Sequence, residues 1–154
     1  MVRFQQFADD EGLPSLQSMF VLALRMYMAK VNGRTDDVMV GVNVGRRGSR
    51  EERLSGGSRA QHLRFRTILP EMTFLEALRV LAERQSTFYR HVDFPCYLLV
   101  TDDDGSGALR CYWERNIRHV PVETIERCHD FMVRAMRAGV ERPTITLGEI
   151  MDLP

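Results

Sequence analysis

Four histidines, His62, His91, His119 and His129, are the side chains of this sequence best suited to move a proton near neutral pH. They stand apart from one another, so none has a neighbour in sequence that would mark it as an oriented base. His62 and His91 are the two candidates for acid–base work. Cys96, Cys111 and Cys128 are odd in number and have neither C-x-x-C nor Cys/His metal spacing. They read as small hydrophobes, buried or half-buried. Asp102, Asp103 and Asp104 precede Gly105 and fit a solvated turn better than a cation site. No metal-ligating set follows from these residues. The chain also lacks a G-x-S-x-G elbow, a G-x-x-x-x-G-K-[ST] phosphate loop, H-E-x-x-H, and G-x-G-x-x-G after a strand.

Arginine is the one charged residue with a conspicuous distribution. Lys30 is the only lysine, and seven arginines (Arg46, Arg47, Arg50, Arg53, Arg59, Arg64 and Arg66) face Glu51 and Glu52 in one stretch, a local charge of +5. Such a patch can receive a phosphate or an acidic protein surface. It lacks the interleaved aromatic residues that single-stranded nucleic acid stacks on.

The elements that must position these groups follow from periodicity. Residues 15–31 predict a helix that starts at Pro14 and Ser15, is apolar almost all round, and stops at Asn32-Gly33. Such a helix belongs inside a layered domain or beneath a partner. Val38, Val40, Val42 and Val44 alternate as a strand would. A Gly/Ser/Arg-rich loop follows, and residues 62–67 alternate again. Thr73 and Glu76 form a capping-box pattern, opening a helix with Leu75, Leu78, Leu81, Ala82 and Phe88 on its apolar stripe and its end near His91. Residues 97–101 and 108–114 flank a turn-rich stretch and predict a hairpin. A last helix begins at Pro121 and runs to Gly139, and the tail reads as a strand and a turn. The order predicts an α/β (α+β) class with a mixed, partly antiparallel sheet and packed helices. No internal repeat and no linker is apparent, so residues 1–154 read as a single domain.

Composition bounds the function. With 154 residues, 44% hydrophobic and 27% charged, the chain can bury roughly two-thirds of its unfolded surface. Twenty-one basic residues balance twenty-one acidic ones, which argues against a dedicated binder of nucleic acid or of anionic membranes. Neither a leader pattern nor an apolar run of about 18 residues is present. The expected location is the cytoplasm.

The order of segments resembles a known family. Helix residues Ala29-Lys30-Val31, followed by Gly33, Asp36, Asp37, Val38, Val40, Gly41, Val44 and Arg46 or Arg47, are similar to a helix-to-strand stretch of nonribosomal peptide synthetase condensation domains, of the chloramphenicol-acetyltransferase-like superfamily. Gly57 and Leu63 with a downstream arginine keep part of the family's next motif but lose its Phe-Val-Asn-Thr centre. The run Thr73-Phe74-Leu75-Glu76-Ala77-Leu78 matches, as do His91-Val92-Asp93-Phe94-Pro95, more loosely, and a terminal helix followed by Arg142-Pro143. The resemblance spans residues 13–153 and implies a fragment of the second of the family's two lobes. The family's His-His-x-x-x-Asp-Gly motif is absent, and Pro95 runs almost directly into Tyr97 where a further family motif would stand.

The resemblance implies a truncated lobe in nonribosomal peptide or hybrid biosynthesis, without catalysis of its own. It would act as a scaffold or partner-binding module, or as half of a split amide-forming enzyme. Implied partners are a histidine-bearing N-terminal lobe, or self-association, and a peptidyl carrier protein. No cofactor is bound directly; phosphopantetheine is carried by that partner. Asn43, Arg46, Arg47 and Arg64 are the implied contacts for the carrier arm or partner lobe. Two alternatives stand beside this reading. One is an independent acyltransferase using His62 or His91 with the arginine loop around a coenzyme A or phosphopantetheine thioester; the other is a decayed or excised fragment without activity.

Overall fold

The computed structural model describes residues 4–13, 16–34, 70–84, 96–101 and 108–154. Within them the chain forms helices α1 (Phe4–Asp10), α2 (Gln17–Val31) and α3 (Phe74–Arg84), strands β1 (Cys96–Thr101) and β2 (Arg110–Arg115), and helices α4 (Val122–Glu141) and α5 (Leu147–Met151). The class is α+β, with a two-stranded antiparallel sheet. The expected strands at 38–44 and 62–67, the arginine loop, the Asp102–Asp104 turn and the helix end near His91 lie outside the described residues. None of the helices among the described residues is long and apolar enough to cross a membrane.

Helix α2 is the hub, touching α4, α3 and α5. Its all-round apolar character is explained by that position: Met19, Leu22 and Ala23 are wholly buried, and Phe20, Val21, Met26 and Tyr27 nearly so. Burying a side chain of Leu or Met size is worth roughly 1.5–3 kcal/mol, so these positions dominate the helix's stability. Ser18 and Arg25 are buried with them, each engaged in further interactions within the chain. The helix stops as the sequence indicates, with Gly33 at φ +74°. Arg34 extends the left-handed turn at φ +63°, an uncommon conformation for a residue with a side chain. Its amide donates to the Ala29 carbonyl at 2.7 Å, and its guanidinium pairs with Asp152.

Helices α3 and α5 begin side by side. Thr73 and Thr146 form an antiparallel bridge, and each is the N-cap of the helix that follows. The amides of Phe74 and Leu75 donate to the carbonyls of Ile145 and Pro143, while those of Leu147 and Gly148 donate to Met72 and Pro70, all between 2.8 and 3.1 Å. The two sets exchange under a local two-fold relating residues 70–76 to 143–149. Both stretches read Pro-x-[Met/Ile]-Thr-[Phe/Leu]-x-Glu, a short internal repeat that corrects the expectation of none. The tail is therefore a bridge residue and a helix rather than a strand and a turn.

Two other expectations are corrected. Pro121 is the N-cap of α4, not its first residue, and the helix continues past Gly139 to Glu141. Gly139 is not a stop signal: a Cβ built on it would lie 2.4 Å from the ring of Phe74, so the glycine admits that ring to the helix backbone. On α3 the deepest residues are Phe74, Ala77, Leu78 and Leu81, with Leu75 only half-buried. The hairpin matches the expectation, with Leu99 opposite Tyr112 and Val100 opposite Cys111. Its inner residues Leu98, Val100, Cys111 and Trp113 lie against the core.

Candidate functional site

All six residues singled out from sequence, Asn43, His62, Arg46, Arg47, Arg64 and His91, lie outside the described residues. What the structure describes is the chain on either side of the segment that bears the first five. The segment bearing them leaves the described chain at Arg34 and returns at Pro70, and both points are tied to the same C-terminal stretch. Arg34 pairs with Asp152, and the Pro70 carbonyl accepts from the Gly148 amide at 2.8 Å. Lys30 adds a third tie, its ammonium donating to the Leu153 carbonyl while lying 5.2 Å from the centre of the Phe131 ring. Phe131 in turn packs against Tyr27 with ring centres 5.7 Å apart. The only lysine is thus spent on anchoring the tail. No periodicity announces these ties, because each partner lies far away along the chain, Arg34 and Lys30 being more than a hundred residues from theirs.

An open depression of about 480 Å³ lies beside the return point, lined by Glu71, Met72, Glu76, Arg79 and Val80. The adjacent helix N-terminus is not an anion site. A helix start leaves four donors to be satisfied, and here all are taken: Thr73 N–H by Glu76 Oε2 at 2.9 Å, the amides of Phe74 and Leu75 by Ile145 and Pro143, and Glu76 N–H by Thr73 Oγ1 at 3.3 Å. The hydrogen bond from the Thr73 backbone, then that from its hydroxyl, with Arg79 adding a smaller attraction, hold the Glu76 carboxyl below its ordinary pKa. Glu149 is lowered likewise by Thr146, with Arg142 3.1 Å away contributing less.

The cysteines are placed as expected. Cys96 and Cys111 are half-buried and Cys128 is buried. Burial raises all three thiols, Cys128 to about 12 with a smaller repulsion from Cys96. Burial also raises Tyr27. These shifts oppose thiolate chemistry at neutral pH. Of the described histidines, His119 is exposed and His129 half-buried on α4. Among the described residues, no group of three or more His, Cys, Asp or Glu side chains could hold a metal ion.

A feature the sequence reasoning missed is the outer face of the hairpin. Leu99 and Tyr112 form an exposed cross-strand pair, 59% and 50% accessible, between Arg110 and Glu114. Alternation in residues 110–115 signals it. No family model matches the chain, and neither curated proteins nor solved structures provide a match.

Proposed function

We propose that this chain is a truncated condensation-type lobe that binds partners in peptide or hybrid biosynthesis and does not catalyse alone. The observation that carries the reading is the shared order and spacing of the matched stretches, from Gly33-x-x-Asp36-Asp37 through Thr73-Phe74-Leu75-Glu76 to the closing helix before Arg142-Pro143. Supporting it are helices at the two places where the resemblance implies them: α2 ending at Val31, before Gly33, and α4 ending at Glu141, before Arg142-Pro143. The net positive charge of the arginine-bearing segment favours an acidic carrier protein bearing phosphopantetheine, with Asn43, Arg46, Arg47 and Arg64 as contacts. A histidine-bearing lobe on another chain would supply the chemistry, and the cytoplasm would be its place of work.

The test is product formation followed by mass spectrometry, using carrier proteins loaded with an aminoacyl donor and acceptor. The expected result is no amide product from the chain alone. Product from the chain alone that disappears in His91→Ala or His62→Ala would overturn the proposal in favour of an independent acyltransferase.

A further inference from the structure

We draw no further inference here: the strongest candidate, the exposed Leu99–Tyr112 pair on the outer face of the hairpin, carries nothing, because nothing in the structure shows what covers it.

Discussion

Thr73 and Thr146 face each other across an antiparallel bridge while each caps its own helix, so two helix starts share one set of hydrogen bonds. An N-cap threonine is worth about 1 kcal/mol against alanine. Thr73→Ala and Thr146→Ala should each cost about that much. Because each helix start supplies acceptors to the other's amides, the double variant should cost less than the two single costs added together. Urea unfolding of the three variants measures this, and strict additivity would contradict the coupling.

The glutamates of the two capping boxes set an acid limit. Glu76 and Glu149 have native pKa values below the ordinary 4.5, so the folded state binds protons less readily than the unfolded one. Their contribution is complete above the ordinary value and is lost as pH falls through the lowered native values. Stability measured against pH should therefore decline on acidification, and more shallowly in Glu76→Gln/Glu149→Gln. An unchanged acid slope in that variant would remove these residues from the account.

Gly139 receives the ring of Phe74. In an exposed helix, Gly→Ala gains about 1 kcal/mol, but here the added methyl would strike the fully buried ring at Cγ and both Cδ atoms. Overpacking of this kind costs about 1–3 kcal/mol. Gly139→Ala should lower stability, and a smaller residue at 74 should soften that loss in the double variant. A stabilised Gly139→Ala would show that the ring can move aside.

Thiol labelling reads the burial of the cysteines. With Cys128 raised to about 12 and buried, a disulfide reagent at mildly alkaline pH should modify Cys96 and Cys111 first and Cys128 only upon unfolding. Peptide mass mapping of the time course checks the order. Modification of Cys128 ahead of the other two would contradict its placement.

Local signals were readable in the sequence. Asn32-Gly33, the Thr73-x-x-Glu76 box and the alternation of the hairpin each depend on residues a few positions apart. Thr146-x-x-Glu149 is equally local, but the alternation of Ile145 and Leu147 with threonine imitates a strand, which concealed the second box and its kinship to the first. Helix α1, with Phe4, Phe7 and Ala8 turned inward, is too short for its period to stand out. Gly139 has the residue type of a helix stop and the role of a packing contact, a difference made by Phe74 from sixty-five residues away. The burial of Ser18 and Arg25 and the ties of Lys30 and Arg34 to the tail likewise arise only when distant segments meet. The candidate carrier contacts were named from charge and resemblance, and their surroundings lie outside the described residues.

The central claim is that the arginine-bearing segment docks an acidic carrier. Fluorescence anisotropy of a labelled, phosphopantetheinylated peptidyl carrier protein, titrated with the full chain at low and at physiological salt, tests it directly. The account predicts saturable binding that weakens as salt rises and falls at least about tenfold in Arg46→Glu/Arg47→Glu, the loss shrinking at higher salt. No binding at low salt, or binding that the double reversal leaves unchanged, would contradict it.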